Sequence, residues 1–280
     1  MWARMEQGGW TVENKETALA KLEPGLYSAD LKFEDSPPRL HQSIATMLVN
    51  RSPLHAWHKA FRPEPEEYDA VMMRGQIAHA LLLGGRKIHA VQANDWRTNA
   101  AKEERDAAIA CGEIPILAHK LADAHDLKAH VVSELGNRGI FLTGQSEVTA
   151  IWQSPGGVWC QGRMDHFLPD MVLILVFKFC NSAAKKVCEN KFIEFGYDVQ
   201  HAAYIQALDT IYPERAGRFS MKFVFVENDP PHAIRVMPVG GTMRTSGQWR
   251  WGKACETWAE CLAKYGVDKP WPAYADDGEP

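Results

Sequence analysis

The chain has 280 residues and a formal net charge of −4 at pH 7; 46% of its residues are hydrophobic and 24% are charged. This composition is typical of a globular protein with one main core. Because no apolar run reaches the roughly 18 residues that span a bilayer, and the N-terminal residues lack the apolar core of a signal peptide, we expect a cytoplasmic protein without membrane contacts. The mildly acidic total charge means that any DNA contact has to come from a local basic surface.

The six cysteines are scattered along the chain and form no C-x-x-C pair. That spacing argues against a zinc ribbon, and a disulfide framework is not expected in a chain of this length. We therefore interpret the cysteines as reduced thiols that mostly pack in the interior. They are Cys111, Cys160, Cys180, Cys188, Cys255 and Cys261.

The N-terminal part of the chain is predicted to be a lead-in followed by helices. Residues 1–36 show little periodicity and form a poorly specified lead-in. Apolar residues at helical spacing predict a first helix that begins near Leu40. Ser52 and Pro53 are typical of the N-cap and first turn of a second short helix. A longer third helix is predicted over residues 66–83.

The third helix carries Gly75 and His79, which are four residues apart and therefore lie on one helix face. The glycine permits close backbone approach beside the imidazole. Taken alone, this pattern favours a partly buried structural histidine over a metal ligand, because a lone histidine is weak evidence for a site.

A hairpin is predicted in the middle of the chain, where the apolar period changes to two. Residues 147–153 and 158–167 alternate like strands, and the intervening Ser-Pro-Gly-Gly sequence is a strong turn signal. The hairpin leads into an apolar strand at residues 171–179. We expect this strand to lie in the middle of the sheet.

These elements together predict an α/β fold with a central mixed sheet flanked by helices and a helical N-terminal embellishment. A single domain is expected over residues 37–268, with its core at about 70–238 and a loosely ordered tail at 269–280. The remaining predicted elements are a strand at 87–92, helices at 98–110, 117–135, 183–195 and 199–211, strands at 219–226 and 233–238, and a closing helix at 248–265.

An acidic residue and a lysine occupy the ends of two successive predicted strands. Asp165 lies in the second hairpin strand, and Lys178 lies near the end of the next strand. A site that cleaves phosphodiesters needs this pair, since a carboxylate holds a divalent cation and an ammonium group lies beside the attacking water.

The order of the polar residues and several short phrases resembles the PD-(D/E)xK nuclease superfamily, in particular the phage and prophage exodeoxyribonuclease VIII (RecE-type) branch. The resemblance covers roughly residues 40–204 and implies a restriction-endonuclease-like core. The matching phrases are the helix followed by Ser52-Pro53, the R-G-x-x-x-H-A-L-L-L helix at 74–83, the E-x-x-x-x-W strand at 147–152, the G-R-x-D strand at 162–165 and the G-Y-x-x-Q-x-A-x-Y helix at 196–204.

The resemblance implies a role for each matched residue. His79 and Asp165 would ligate Mg²⁺ or Mn²⁺, together with the backbone carbonyl of Phe177. Glu147 would support the metal or the water, and Lys178 would orient the nucleophilic water. Two residues four apart on one helix, Gln200 and Tyr204, would position the lysine or the scissile phosphate.

The sequence departs from the family at two positions in the D-x-K-T phrase, which here reads V-F-K-F. Val176 replaces a metal-ligand acid, and Phe179 replaces a small hydroxyl residue. Losing one carboxylate weakens the binding of a hard dication. A carboxylate that has migrated to the following helix, Glu189 or Glu194, would be a substitute. Asp170 is the weaker substitute, since six residues of extended strand separate it from Val176 by about 20 Å.

Two functions follow from the resemblance. The first is a RecE-type exonuclease that digests linear duplex DNA ends in phage recombination, impaired by Val176, with a toroidal homo-oligomer and a single-strand annealing protein as partner. The second is a catalytically inactive nuclease-fold protein that binds DNA ends or a partner protein. An iron–sulfur nuclease is excluded, because no cysteine precedes Cys111 and no C-x-x-C pair exists. The candidate phosphate contacts are Arg74, Arg163, Lys185 and Lys186.

Overall fold

The computed structural model describes residues 2–6, 9–13, 24–27, 37–63 and 70–274. The strands are β1 Trp2–Glu6, β2 Gly9–Glu13, β3 Gly25–Tyr27, β4 Leu40–His41, β5 Ile88–Val91, β6 Ile114–Leu117, β7 Gln145–Gln153, β8 Trp159–Leu168, β9 Leu173–Cys180, β10 Ser220–Glu227 and β11 Ile234–Pro238. The helices are α1 Gln42–Asn50, α2 Pro53–Phe61, α3 Ala70–Leu83, α4 Asn99–Ala110, α5 Leu121–Gly136, α6 Lys185–Glu194, α7 Tyr197–Ile211 and α8 Gly241–Tyr265.

The main sheet of the described residues is mixed. Its strand order is β11-β10-β9-β8-β7-β3-β1-β2, with β4 added beside β8. β9 and β10 run parallel, as do β4 and β8, and the other neighbours are antiparallel. The predicted α/β fold with a central mixed sheet flanked by helices is confirmed.

Two apolar cores lie on opposite faces of this sheet. The larger core packs α1, α2, α6, α7 and α8 against one face and contains Val176. The other core packs α3 and α5 against the opposite face and contains the neighbouring residues Leu175 and Phe177. β9 therefore alternates between two buried faces, as expected for a central strand.

A buried ion pair fastens the larger core at the start of α7. Asp198 is fully buried, and one guanidinium nitrogen of Arg250 donates to both of its carboxylate oxygens at 2.6 and 2.7 Å. The other guanidinium nitrogen contacts Asn50 at the end of α1. A Cβ atom on Gly247 would lie only 2.1 Å from the carbonyl oxygen of Asp198, so α8 approaches α7 this closely only with glycine there.

Local signals predicted most element positions correctly. The predicted hairpin is β7 and β8, and its turn is closed by a hydrogen bond from the Ser154 amide to the Val158 carbonyl. The Ser52 side chain accepts from the His55 amide at the start of α2, as its predicted capping role requires. Residues 66–69 of the predicted third helix lie outside the described residues.

Four segments differ from the sequence-based expectation. The long helix expected at 117–135 begins at Leu121, because residues 114–117 form a buried strand that pairs with β5. The closing helix begins at Gly241 rather than 248. In the segment expected to be a loose tail, Trp271 is 2% exposed and packs against Phe61 and Trp258. The lead-in contributes β3, which pairs with β7. The strand at 114–117, the burial of Trp271 and the pairing of β3 each depend on a contact between residues distant in sequence.

Among the helices that the structure describes, none combines the length and the apolar character needed to cross a membrane.

We expect Arg250→Met to lower the free energy of unfolding by about 3–5 kcal/mol, because it leaves the Asp198 carboxylate buried without its cation. Urea denaturation followed by circular dichroism measures this loss. Lys253→Met on the same helix is the matched control: its ion pair with Glu256 is exposed, so we expect a change of less than about 1 kcal/mol. Equal effects of the two substitutions would contradict the assignment.

Candidate active site

The site begins where the ladder between β8 and β9 ends. The last pair of this ladder is His166 with Leu175, so Asp165 and Val176 come next on the two strands. These two residues form no backbone pair. Instead, the Asp165 side chain links the strands, because its Oδ2 accepts a hydrogen bond of 2.7 Å from the Phe177 amide. The predicted acid is thereby fixed against the strand that carries the lysine.

Glu147 lies opposite Asp165 in an unusual backbone conformation. Its φ is 54°, a left-handed value that is uncommon for a residue other than glycine and that clusters at functional sites. The β7–β8 ladder pairs Ser146 with His166 and Val148 with Met164, and omits the position between them. This local departure from the ladder accompanies the approach of the Glu147 carboxylate to the site.

His79 projects from α3 and lies between the two carboxylates. Its Nδ1 is 3.3 Å from Glu147 Oε1, and its Nε2 is 3.3 Å from Asp165 Oδ2. Burial lowers the pKa of His79, but the hydrogen bond and charge of Asp165 and the charge of Glu147 outweigh burial and raise it overall. Burial is also the main cause of a raised pKa at Glu147. The three groups therefore form one coupled, partly buried cluster.

Lys178 enters the site from β9 and is half-buried. Its Nζ lies 4.6 Å from the ring centre of Tyr197 and 6.0 Å from that of Phe223. Burial lowers the pKa of Lys178, and the negative charge of Asp165 partly offsets this. Val176, two residues earlier on the same face of the strand, is fully buried in the larger core.

One cleft of about 1060 Å³ holds some of the predicted site residues, and Asp165 is not among the residues that line it. It also contains Lys191, Tyr197 and Asn181, to which the sequence analysis gave no role. Tyr197 belongs to the G-Y-x-x-Q-x-A-x-Y phrase, which was a signal for its importance, whereas no sequence signal distinguishes Lys191 from other helix lysines. The predicted residues that line the cleft are Gly75, His79, Glu147, Arg163, Phe177, Lys178 and Phe179.

Gln200 and Tyr204 lie beneath the cleft and do not line it. Both are buried, and the Gln200 side-chain amide donates to the Tyr204 hydroxyl at 3.3 Å. That hydroxyl donates in turn to the backbone carbonyl of Arg163 at 2.6 Å. A Cβ atom on Gly162 would lie 2.5 Å from the Tyr204 ring, so this contact requires glycine. The pair therefore supports β8 through the Arg163 carbonyl, and neither side chain lines the cleft.

The predicted substitutes for the missing carboxylate lie away from the cleft. Glu189 pairs with Lys185 at 3.7 Å beside a different cavity, between α6 and β11. Glu194 is exposed and does not line the cleft. Asp170 is exposed in a short turn before β9, at the opposite end of that strand from Lys178. None of the three lines the cleft, so a migrated ligand stays a prediction without support from the structure.

The predicted phosphate contacts separate into two groups. Arg163 lines the cleft, and its guanidinium lies 3.3 Å from Glu147 Oε2. Arg74 borders another cavity and pairs with Asp229 at 3.5 Å. Lys185 and Lys186 begin α6 and also lie outside the cleft, so their phosphate contacts stay a prediction. Lys191, one and a half turns further along α6, lines the cleft in their place.

A divalent cation fits the donor chemistry of this site. The His79 imidazole lies between both carboxylates, and Glu147 Oε1 is buried with no hydrogen-bond partner among the described residues beyond its 3.3 Å ion contact with His79. Oxygen donors of this kind suit Mg²⁺ or Mn²⁺. Within the described part of the chain, no group of three or more His, Cys, Asp and Glu side chains is already arranged around a metal position. The His79 ring, which contacts both acids, would have to move for a cation to lie between them.

The sheet, the flanking helices and the acid–lysine cleft define a nuclease-like domain of the PD-(D/E)xK class. The chain belongs to the family described as PDDEXK-like domain of unknown function (DUF3799), whose model matches residues 49–275. No curated protein sequence matches the chain.

Several solved structures resemble this chain, among them the following two. A protein from Eubacterium rectale with a provisional exonuclease assignment has a TM-score of 0.55 at 12% identity, over 80% of this chain and 82% of that one. This similarity shows a shared fold. A phage related exonuclease from Haemophilus somnus has a TM-score of 0.33 at 13% identity, over 67% of this chain and 94% of that chain, which is too low to support an argument.

We expect the pKa of His79 to lie above its ordinary value of about 6.5, and Asp165→Asn to lower it. The substitution removes one negative charge and keeps an oxygen that can accept from the Phe177 amide. NMR titration of the histidine ring protons measures both values. His201 is the internal control, since burial lowers its pKa to about 4 at a separate location. An unchanged pKa of His79 in the variant would show that the acid and the imidazole are not coupled.

Proposed function

We propose that this protein is a metal-dependent DNA nuclease that acts on the ends of linear duplex DNA in phage recombination, with activity reduced by Val176. The observation that carries the proposal is that His79, Glu147 and Lys178 line one cleft, and that Asp165, which does not line it, contacts His79 at 3.3 Å. Three of these residues come from different strands and the fourth from α3, so chance proximity along the chain does not explain their meeting.

The side chains have distinct tasks in this proposal. Lys178 orients the attacking water from β9, and Asp165 stays in place because the Phe177 amide donates to it. His79, Asp165, Glu147 and the Phe177 carbonyl would hold Mg²⁺ or Mn²⁺. When bound, such an ion supplies Lewis-acid stabilisation of the phosphate charge.

Basic groups at the cleft support a DNA backbone as the ligand. Arg163 and Lys191 line it together with Lys178. The net charge of −4 gives no general attraction, so these local cations would have to attract the phosphates, and binding should weaken strongly with salt.

Val176 is the reason to expect weak cleavage. Its side chain is fully buried and does not line the cleft, and none of the acids considered as substitutes lines the cleft either. A site with one carboxylate fewer binds a dication less tightly. We therefore propose weak divalent-metal binding as part of the function.

A protein that binds DNA ends or a partner without cutting is the second candidate, and the same burial of Val176 favours it. It retains the basic groups of the cleft and needs no metal. Two further parts of the proposal have support only from the family resemblance. They are a toroidal homo-oligomer that encircles DNA and a single-strand annealing protein as partner.

We expect the unmodified protein to digest linear duplex DNA very slowly with Mn²⁺, and Val176→Asp to raise the rate. A restored carboxylate would recover charge stabilisation of the kind that is worth ~10²–10³ in rate. Since Phe179 also lines the cleft, the double change Val176→Asp with Phe179→Thr should be faster than either single change. Release of acid-soluble nucleotides from end-labelled duplex measures the rate, and Lys178→Ala in the double variant is the inactive control.

Two results would contradict this expectation. One is fast digestion by the unmodified protein that Lys178→Ala abolishes, because reduced activity would then be wrong. The other is no gain in the double variant although thermal melting shows that it is folded and calorimetry shows that it binds Mn²⁺. Normal DNA binding together with that second result would support the non-cutting alternative.

We expect Lys191→Gln to weaken binding to duplex ends and to reduce the slope of log K against log salt by about one, as for the loss of one phosphate contact. Fluorescence anisotropy at several salt concentrations gives the slope. Lys186→Gln is the matched control, because this lysine is exposed on the same helix but lies outside the cleft. If both variants lose affinity equally, the cleft is not where DNA binds.

A further inference from the structure

Lys178 contacts aromatic rings where the resemblance predicts a carboxylate partner. Its ammonium nitrogen is 4.6 Å from the ring centre of Tyr197 and 6.0 Å from that of Phe223. Both distances are within the range of about 6 Å in which a ring face attracts a cation. At position 176 on the same strand face, where the resemblance predicts an acid, this chain has an aliphatic side chain.

Tyr197 is held firmly in its position. Its ring stacks on Phe223 with centres 5.2 Å apart and an angle of 24° between the planes, and it meets Phe192 edge-on at 5.8 Å. Phe195 stacks on it at 5.9 Å from the exposed side. Burial raises the pKa of the Tyr197 hydroxyl, so the ring stays neutral. A fixed neutral ring at the border of the cleft is well placed to hold a flexible lysine.

From this arrangement we infer that Tyr197 is a positioning residue for Lys178, and that its ring face replaces the carboxylate that Val176 has displaced. The importance of Lys178 for catalysis rests on the proposed function. The contact between Lys178 and the Tyr197 ring does not depend on that function. Tyr197 acts through the lysine and needs no contact with substrate.

An ordinary packing role is the main alternative explanation. Long lysine side chains often lie along apolar surface for the sake of their methylene groups. In that case only the shape of the residue at 197 would matter. If the contact is a cation–π interaction, the electron density of the ring face also determines how strongly residue 197 holds the lysine. The two explanations therefore differ in their response to fluorination, which withdraws charge from the ring face and changes its shape little.

NMR of protein labelled with ¹³C at the lysine ε-carbon tests the contact directly, without any activity. The Lys178 signal is identified by its loss in Lys178→Arg. We expect its protons to be shifted upfield of the other lysines by the ring current, to remain so in Tyr197→Phe, and to move to the ordinary position in Tyr197→Leu. Phe195→Leu is the matched control, because it removes a ring that stacks on Tyr197, and we expect the Lys178 signal to stay in place. An ordinary Lys178 shift in the unmodified protein, or no change in Tyr197→Leu, would overturn the inference.

Kinetics tests the consequence. Phenylalanine and its progressively fluorinated analogues are placed at position 197 by site-specific incorporation, which avoids a large change of shape should Tyr197→Leu fail to fold. We expect kcat to fall stepwise to about one tenth with full fluorination while KM stays constant, since a cation–π contact of this size is worth about a factor of ten. In Val176→Asp, where Lys178 regains a carboxylate, the decrease should be smaller.

The two measurements separate the inference from the proposed function. An unchanged kcat across the analogues, measured in a protein that does cleave DNA, would overturn the positioning role. If no variant cleaves DNA at all, the proposed function is wrong, and the NMR result alone then decides whether Tyr197 holds Lys178.

Discussion

The hydrogen bond from the Phe177 amide to Asp165 is the contact on which the site depends. It forms just beyond the last backbone pair of β8 and β9, and it joins the acid of one strand to the strand that carries Lys178. Beyond this point β8 stays paired with β7 and β9 with β10, and the two strands have no further ladder pairs with each other. His79 then completes the cluster from α3, because it meets Asp165 with one ring nitrogen and Glu147 with the other.

The acidic and basic groups of the cleft interact with one another, so that changing one of them alters the pKa values of the others. Two carboxylates, one imidazole, two guanidinium groups and two ammonium groups lie at or beside the cleft, and burial shifts the pKa of His79, Glu147 and Lys178. In a partly buried site each charge interacts more strongly than it would in water. The aliphatic Val176 removes negative charge where a dication would need it. The ring of Tyr197 faces the lysine instead, which is a weaker but uncharged partner.

The larger core positions the site through helix α7, which contacts the strand that carries Asp165. Its first turn is fastened by the Asp198–Arg250 ion pair, and its later turns carry Tyr204, whose hydroxyl supports the Arg163 carbonyl on β8. Tyr197 begins the same helix. One helix therefore connects the buried ion pair with both the strand of the acid and the ring beside the lysine. Gln200 and Tyr204 are buried and do not line the cleft, but through this helix they help to hold the strand that carries Asp165 in position.

The sequence by itself determined the local elements and the mixed sheet, because periodicity, turns and caps act between neighbours in the chain, and its short phrases made His79, Asp165 and Lys178 candidate site residues. Only the tertiary structure decided which groups meet. The left-handed backbone of Glu147, the two contacts of His79, the presence of Lys191 in the cleft and the burial of Trp271 all depend on strand register and helix packing. Those contacts join residues far apart in sequence, and a register is fixed only when the whole sheet and both cores are assembled.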